Sequence, residues 1–358
     1  MKHLWGLILA FALFTGAVRA DNQDLRSKIG STFSSPVLVG DLFYFVATTG
    51  VLFEASKDFK TIKKLYEGNK QTLGALVVVN DKLIWGEGLH TDKKTLFHIF
   101  DIKTKKMLKE IEIKGHIQRP PLFIHDTIYL PTGPGGILAI NATTYKTKWH
   151  TKTHNKKDLH IDSNILAVEN QICATSVYEF KGIVCLDEKS GKVLQTAELT
   201  RNPKSEITLW NNQIVGFATE ADLSKPKWDI PSDLYVYDIK NNKMKMSKEL
   251  RGFNFFAPQI NGDEAFVTLS TGDFILVNLT NGKIHFLGEF PEPFTNNAFI
   301  KGLDFCGIGI MGKYMCYGKT TSGYALTVDK RLMETVVGEI MYLDSQLITP
   351  SRAGYYIE

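Results

Sequence analysis

The chain has 358 residues, of which 44% are hydrophobic and 22% are charged, proportions typical of a globular protein with a large core. Its formal net charge is +4 at pH 7, too small to indicate nucleic acid or an anionic membrane as a partner. Composition therefore excludes a disordered or strongly basic chain and leaves the function open.

Residues 1–20 have the pattern of a secretory signal peptide. Lys2 and His3 precede an uncharged apolar run, and small residues lead to the expected cleavage site after Ala20. The alternative, an amino-terminal anchor, is disfavoured because the run is too short to span a bilayer comfortably. We expect residues 21–358 to form one soluble, monomeric domain, periplasmic or secreted, with a net charge of +2.

The mature chain repeats a strand–turn–strand unit. In the clearest copy, β-branched and apolar residues run from Gly182 to Asp187, and Ser190-Gly191-Lys192 supplies the turn. A strand-only repeat of 40 to 51 residues is typical of β-propellers. The polar residues that close the repeated strands are Ser56, Asp101, Asn141, Asp187, Asp238, Asn278 and Asp329.

Each repeat also contains an earlier two-residue turn flanked by alternating apolar residues. Each repeat therefore indicates four strands, A to D, with short A–B and C–D turns. The predicted A–B turns are Gly40-Asp41, Asn80-Asp81, His125-Asp126, Glu169-Asn170, Asn211-Asn212, Gly262-Asp263 and Gly312-Lys313.

The chain ends inside an eighth repeat. Leu343 to Thr349 has the pattern of an A–B turn and a B strand, and Gly354 to Glu358 that of a C strand. Asp24 to Thr32, at the other end, belongs to no repeat. The sequence thus predicts an all-β, eight-bladed β-propeller of four-stranded blades, in which the amino-terminal strand completes the last blade and leaves no exposed edge. The alternative is seven blades plus a hairpin.

The segments 139–149 and 182–192 resemble the repeat of pyrroloquinoline-quinone-type (PQQ-like) propellers, and the likeness extends over nearly the whole mature chain. Members of similar size are eight-bladed exported proteins similar to the propeller subunit of the β-barrel assembly machinery in Gram-negative outer membranes. The resemblance implies a non-catalytic scaffold whose partners are other envelope or secreted proteins. Two departures are that the tryptophan frequent in D strands remains only at Trp149, and that no lipoprotein cysteine follows the signal peptide.

Catalytic motifs are absent from the sequence. It has no adjacent cysteines of the kind that lie under the cofactor in quinoprotein dehydrogenases, and no zinc-protease, nucleophile-elbow or Walker motif. The stretch Gly133-Pro134-Gly135-Gly136 lacks the Lys-Ser/Thr of a phosphate loop and is interpreted as a strand connection. We therefore expect no catalytic residues and no cofactor. The alternative is a propeller, quinoprotein-like or metal-binding, that uses the mouth of the central channel.

Two pairs of cysteines are candidates for disulfides. Cys173 and Cys185 lie on consecutive strands of one repeat, and Cys306 and Cys316 flank a turn of another. The alternative is that they are buried free thiols, because a register error of one residue would separate the partners.

We expect no metal site and interpret His150, His154 and His160 as surface histidines near a lysine-rich loop. The alternative is that these three imidazoles, which lie within one short stretch, hold a metal ion. No residue nearby in the sequence is an obvious orienting partner for their rings.

Insertions gather on one face of the predicted ring. The A–B and C–D turns stay short, whereas the B–C and D–A connections emerge from the opposite face, and the second and fifth repeats have long B–C loops. Rigid loops with aromatic residues suit a protein-binding surface. The alternative is that these aromatic residues cover the cores of their own loops. The predicted partner contacts are Trp228, Lys225, Lys227 and Phe294.

Overall fold

The computed structural model describes residues 29–357, except for positions 74, 223–226, 295, 322, 333–334, 337, 344 and 352–353. The predicted signal peptide, residues 1–20, lies outside the described residues, as does the part of the predicted amino-terminal strand before Ile29. All the elements whose bounds lie within the described residues are β-strands, as the all-β prediction requires, and Ile29 alone has a helical conformation.

The strands form eight successive sheets, each of which is one blade. Blades 1 to 4 contain β1 (Val37–Val39), β2 (Leu42–Val46), β3 (Val51–Ser56), β4 (Ile62–Glu67); β5 (Val77–Val79), β6 (Lys82–Gly86), β7 (Lys94–Asp101), β8 (Lys106–Lys114); β9 (Leu122–Ile124), β10 (Thr127–Pro131), β11 (Ile137–Asn141), β12 (Thr147–Thr151); and β15 (Leu166–Val168), β16 (Gln171–Ser176), β17 (Gly182–Asp187), β18 (Val193–Glu198). A small hairpin, β13 (Thr153–His154) and β14 (Lys157–Asp158), lies between blades 3 and 4.

The same order continues through the second half of the ring. Blades 5 to 8 contain β19 (Ile207–Trp210), β20 (Gln213–Thr219), β21 (Ser232–Asp238), β22 (Lys243–Leu250); β23 (Gln259–Asn261), β24 (Glu264–Thr268), β25 (Asp273–Asn278), β26 (Ile284–Glu289); β27 (Phe299–Lys301), β28 (Asp304–Ile308), β29 (Lys313–Thr320), β30 (Gly323–Arg331); and β31 (Met341–Leu343), β32 (Gln346–Ser351), β33 (Gly354–Ile357). Within each blade the strands pair in chain order, and blade 8 has three strands within the described residues.

The pairing of the C and D strands has one register shift in each of blades 1 to 7, at the same position in blades 2, 3, 4, 5 and 7 and two residues earlier in blades 1 and 6. A bulge there adds local twist, which turns the outer strand relative to its neighbour. The register shifts lie at Leu52/Phe53, Ile99/Phe100, Ala139/Ile140, Cys185/Leu186, Val236/Tyr237, Phe274/Ile275 and Cys316/Tyr317.

The repeated polar residue at the end of the C strand shapes the C–D turn. In blade 4 the Asp187 carboxylate accepts hydrogen bonds from the Ser190 N–H, at 2.8 Å, and from the Ser190 hydroxyl, at 2.6 Å. Such a side chain replaces a backbone acceptor and fixes the turn. Asp101, Asn141, Asp238 and Asn278 accept the N–H three residues later in the same way.

Apolar side chains pack between consecutive blades all the way round. Eight clusters of buried residues are found among the described residues, and each joins one blade to the next. One of them joins blade 8 to blade 1 through Ile348, Tyr355, Phe45 and Phe59. The eight-bladed prediction is therefore confirmed, and the alternative of seven blades with a hairpin is wrong.

The described residues that precede blade 1 lie against blade 8. The Thr32 N–H donates to the Ser351 carbonyl at 3.0 Å, and the Thr32 hydroxyl donates to the Gly354 carbonyl at 2.9 Å. The Tyr355 hydroxyl donates to the Ser34 carbonyl at 2.7 Å. The two ends of the ring are thus joined by hydrogen bonds, but the described part of the predicted amino-terminal strand, residues 29–32, has no strand conformation.

The predicted phase of blade 7 is wrong. Its A–B turn is Gly302-Leu303, whereas Gly312 lies in the B–C connection, and Asp329 lies within β30 instead of closing a C strand. The physical reason is that the second residue of this turn is apolar: Leu303 is 87% exposed, but in the sequence it continues the apolar pattern of a strand and gives no sign of a turn. Gly312, at φ +86°, has the turn chemistry that the true A–B turn partly lacks.

Two disulfides each staple the B strand of a blade to its C strand. Cys173 on β16 is directly opposite Cys185 on β17, and Cys306 on β28 is directly opposite Cys316 on β29. All four cysteines are fully buried. The two bonds occupy equivalent places in blades 4 and 7.

Removing the blade 4 disulfide should lower the stability of the ring. The paired change Cys173→Ala/Cys185→Ala frees a loop of 12 residues in the unfolded chain, and loop-closure entropy gives a loss of about 3 kcal/mol. Urea unfolding of both proteins, with and without reductant, measures the loss. Identical unfolding of the two under oxidising conditions would contradict the bond.

Deleting residues 21–33 should weaken the closure of the ring. The deletion removes the buried Ile29 side chain and both Thr32 hydrogen bonds, so we expect a loss of roughly 4 kcal/mol. Thermal unfolding of chains with and without these residues checks this. A truncated chain that melts like its parent would show that these contacts do not hold the ends together.

Candidate functional site on the loop face

The long connections of the ring lie on one face, formed by the B–C and D–A connections, which we call the loop face. The B–C connections of blades 2 and 5 span positions 87–93 and 220–231, and the D–A connection between blades 3 and 4 contains the β13–β14 hairpin. The A–B turns on the opposite face have two residues each in blades 1 to 7. This distribution agrees with the sequence-based prediction.

Trp228 lies in the blade 5 loop and is partly exposed. Its ring stacks on that of Phe253, with centroids 6.4 Å apart and an interplanar angle of 21°. Its carbonyl accepts a hydrogen bond of 2.6 Å from the Ser270 hydroxyl of blade 6. The neighbouring Lys227 is exposed. The structure therefore fixes the Trp228 backbone and leaves part of its side chain accessible.

The two other predicted contact residues are not seen as exposed groups. Lys225 lies outside the described residues. Phe294 is 2% exposed and packs against Phe290 and Phe274, with ring centroids 4.3 and 6.0 Å away. Its side chain belongs to the core between blades 6 and 7 and is not accessible to a partner.

Side chains from non-adjacent blades meet at the centre of the loop face. Arg119, ahead of blade 3, pairs with Glu206, ahead of blade 5, at 2.6 Å and donates to the Phe255 carbonyl, ahead of blade 6, at 3.2 Å. Phe33, ahead of blade 1, stacks on Phe256 at 6.2 Å. Because blades 3 and 6, like blades 1 and 6, are not neighbours, these contacts cross the central channel and fill its loop-face end.

Glu339, ahead of blade 8, lies near this centre, and its acidic neighbour is Glu206. The Ser35 N–H lies 3.5 Å from its Oε2, and the Ser35 hydroxyl donates to its carbonyl at 2.9 Å. Burial, and then the negative charge of Glu206, raise the pKa of Glu339 to about 7. This carboxyl is therefore partly protonated at neutral pH.

The three histidines that the sequence offered as candidates for a metal site do not converge. His150 lies 2.7 Å from the Gly135 carbonyl through Nε2, and His154 contacts Asn155 at 3.0 Å and the edge of Phe180. His160 lies elsewhere, in a cluster with other residues. The candidate set of His150, His154 and His160 is therefore corrected: of the three, only His160 belongs to an arrangement of side chains that could hold a metal ion.

That arrangement, which we call the histidine cluster, consists of His90, His116, His160 and Asp162. His90 comes from the B–C connection of blade 2, His116 from the connection ahead of blade 3, and His160 and Asp162 from the connection ahead of blade 4. Burial disfavours the ionised form of Asp162, but the imidazoles of His116 and His160 outweigh this and hold its pKa below the usual range. Burial also lowers the pKa of His90, which favours its neutral ring.

One signal in the sequence indicates part of this cluster. His116 and His160 each lie six residues ahead of the first strand of a blade, since β9 begins at Leu122 and β15 at Leu166. Equivalent positions in consecutive blades are close in space. His90, from a B–C connection, has no counterpart that would have revealed it.

Replacing Glu339 by Gln should remove a pH dependence of stability. The folded-state pKa of Glu339 is raised from 4.5, so its contribution to stability is complete below that pH and is lost as the pH rises towards 7. We expect wild type to lose roughly 2–3 kcal/mol relative to Glu339→Gln over this window. Urea unfolding at several pH values measures the difference, with the exposed Glu289→Gln as control. Parallel profiles for wild type and Glu339→Gln would contradict the raised pKa.

A family described as outer membrane protein assembly factor BamB matches residues 74–218, from just before blade 2 into blade 5. Two curated relatives are uncharacterized proteins of Rickettsia prowazekii (strain Madrid E) and Rickettsia conorii (strain ATCC VR-613 / Malish 7). Each is 24% identical over 213 residues, covering 57% of this chain and 48% of the relative. The chain thus spans about half the length of the curated relatives it matches.

Two solved structures have a similar fold over most of the chain. The crystal structure of BamB from Moraxella catarrhalis matches with a TM-score of 0.69 and 14% identity, over 90% of this chain and 92% of that chain. The computationally designed Ika8 protein matches with a TM-score of 0.71 and 12% identity, over 92% and 96%. At this identity the likeness shows the fold alone. The chain is an eight-bladed β-propeller similar in fold to BamB, and its residues 74–218 match the PQQ-like repeat family of BamB.

Proposed function

We propose that this chain is a non-catalytic scaffold of the cell envelope that binds other proteins through its loop face and takes part in outer-membrane protein assembly. The observation that carries this proposal is Trp228, a partly exposed aromatic residue whose backbone is fixed by Ser270 and whose ring rests on Phe253. The match to the BamB family over residues 74–218 supports the assignment to assembly.

A fixed aromatic residue is a favourable contact for a protein partner. Tryptophan buries a large apolar area on binding, and a side chain that is already ordered loses little entropy. Two further large apolar side chains are exposed on B–C connections of this face, Tyr178 at 45% and Met311 at 60%. Lys227 adds a positive charge beside Trp228, while the contribution of Lys225 stays a prediction.

The centre of the ring favours surface binding over a channel ligand. Arg119 is held there by hydrogen bonds to Glu206 and to the Phe255 carbonyl, and Phe33 lies on Phe256. A ligand that entered from the loop face would have to displace these side chains and leave the Arg119–Glu206 ion pair broken. Breaking such a partly buried pair is costly.

We further propose that the chain works outside the cytoplasm. Its two buried disulfides need an oxidising compartment to form, which a periplasmic or secreted protein encounters after export. The apolar run within residues 1–20 supplies the export signal in this proposal. Within the described residues, no helix combines the length and the apolar character needed to cross a bilayer.

The test is capture of envelope proteins by the tagged mature chain, followed by affinity measurement with the purified partner. Trp228→Ala should weaken binding by about 30-fold or more, as expected for a central aromatic contact. The matched control is Phe286→Ala, which removes an aromatic side chain 56% exposed on β26, an outer strand away from the loop face. It should bind like wild type.

Melting temperatures of both variants must stay near that of wild type for the comparison to hold. Equal binding by wild type and Trp228→Ala would remove Trp228 from the interface. A bound chromophore that co-purifies with the chain and supports turnover of a substrate would instead favour the cofactor-binding alternative.

A further inference from the structure

The backbone around Ile161 fixes two members of the histidine cluster. The Ile161 N–H donates to the Gly133 carbonyl at 2.9 Å, and the Gly133 N–H donates to the Ile161 carbonyl at 3.1 Å. The His160 carbonyl accepts from the Val177 N–H at 2.9 Å. His160 and Asp162 flank Ile161, and alternate residues of a strand share a side, so both side chains are directed the same way.

The glycine-rich B–C connection of blade 3 makes room for His116. A Cβ atom at Gly133 would lie 2.5 Å from the His116 ring, closer than any side chain tolerates, and Gly133 also has a positive φ of +55°. The stretch Gly133-Pro134-Gly135-Gly136 therefore connects two strands, as interpreted from the sequence, and in addition seats an imidazole ring.

Three imidazole nitrogens converge on one carboxylate. The Nε2 atoms of His116 and His160 each lie 3.1 Å from Asp162 Oδ1, and His90 Nδ1 lies 3.5 Å from Asp162 Oδ2. The four ligand atoms lie within 4.8 Å of one another. A tetrahedral zinc site with bonds of about 2.0–2.1 Å needs ligand atoms roughly 3.3 Å apart, so a small contraction of this set completes the site.

Two imidazole nitrogens of the histidine cluster make no hydrogen bond among the described residues. His116 is 1% exposed, and its Nδ1 has no hydrogen-bond partner among the described residues. The buried Nε2 of His160 lies 3.1 Å from Asp162 Oδ1, as an ion pair, and likewise makes no hydrogen bond among the described residues. Buried imidazole nitrogens without partners carry a free-energy cost that a bound cation at Nε2 of His160 would remove.

A tyrosine orients the most exposed member of the cluster. The Tyr178 hydroxyl lies 2.7 Å from His90 Nε2, the nitrogen opposite the one that faces Asp162. When Nε2 donates its hydrogen to Tyr178, Nδ1 keeps the lone pair that a metal needs. The Tyr178 ring also contacts that of His160 edge-on, with centroids 4.8 Å apart. The orienting residue that the sequence did not reveal is thus supplied by the B–C connection of blade 4.

We propose that His90, His116, His160 and Asp162 bind one divalent transition-metal ion, with zinc as the best fit, and that this ion clamps the connections of blades 2, 3 and 4 together. Three imidazoles with one carboxylate suit zinc and its neighbours in the first transition row, whereas calcium and magnesium prefer all-oxygen sites. Four protein ligands make a closed site, which is the structural type. The ion enters beside His90, whose side chain is 47% exposed.

Metal titration of the mature chain tests the site. Chelator-treated protein should bind one equivalent of Zn²⁺ by calorimetry, and cobalt(II) should give the visible absorption of a tetrahedral site. A Zn²⁺ concentration 100-fold above the Kd should raise the melting temperature by about 5 °C. Failure of wild type to bind either ion stoichiometrically would overturn the proposal.

Variants assign the binding to these residues. His90→Ala and Asp162→Asn should each weaken Zn²⁺ binding at least tenfold, and Tyr178→Phe, which keeps the ring, should weaken it about tenfold. The matched control is His154→Ala, a histidine of the nearby β13 strand outside the cluster, which should bind like wild type. If Asp162→Asn fails to fold, the exposed His90→Ala decides. Equal affinity of wild type and His90→Ala, or weakening by His154→Ala alone, would place the metal elsewhere and overturn the assignment.

Discussion

The whole structure depends on burial of apolar surface between consecutive blades. A four-stranded blade has two faces, and it covers neither of them alone. The eight clusters of buried residues solve this by pairing each blade with the next, and Trp149 shows one such contact, since its indole N–H donates to the Glu188 carbonyl of the following blade at 3.0 Å. Removing water from these surfaces is the dominant favourable contribution to folding.

This constraint makes the junction of blades 8 and 1 the critical place. Every other pair of blades is joined by continuous chain, but here covalent continuity is missing and only non-covalent contacts close the ring. Ile29 and Tyr355 pack with Phe45 in the cluster at this junction, and Thr32 adds hydrogen bonds to blade 8.

The repeat was predictable because the polar residues that recur at its turns have a local physical cause. The polar residue at the end of a C strand fixes the following turn by accepting a backbone N–H, as Asp187 does, so it recurs wherever the turn recurs. The same reasoning fails in blade 7, where Leu303 occupies the A–B turn and Gly312 resembles one. Local chemistry thus predicts a turn but not always which turn of the repeat it is.

Site residues were harder to predict because they meet through tertiary structure. His150, His154 and His160 are close in sequence, yet the strands direct them to different surroundings, whereas His90 reaches His160 across two blade boundaries. Phe294 likewise lies in a loop whose composition suits a surface contact, but its ring packs in the core between blades 6 and 7. A sequence pattern does not show how deeply a side chain is buried, and burial determines whether an aromatic residue contacts a partner or packs in the core.

The same tertiary contacts make the loop face one connected surface. Arg119 Nε donates to the Asp162 carbonyl at 3.2 Å, and its Nη2 donates to the Phe255 carbonyl at 3.2 Å, so one guanidinium joins the histidine cluster to blade 6. From Phe255 the contacts continue through Phe253, at 5.1 Å, to Trp228. Contacts alone do not create coupling between two sites, which requires an element with two arrangements that both sites bias. What Arg119 supplies is rigidity, because its planar group is held from three sides, and a rigid centre keeps loops from separate blades in the fixed positions that a binding surface requires.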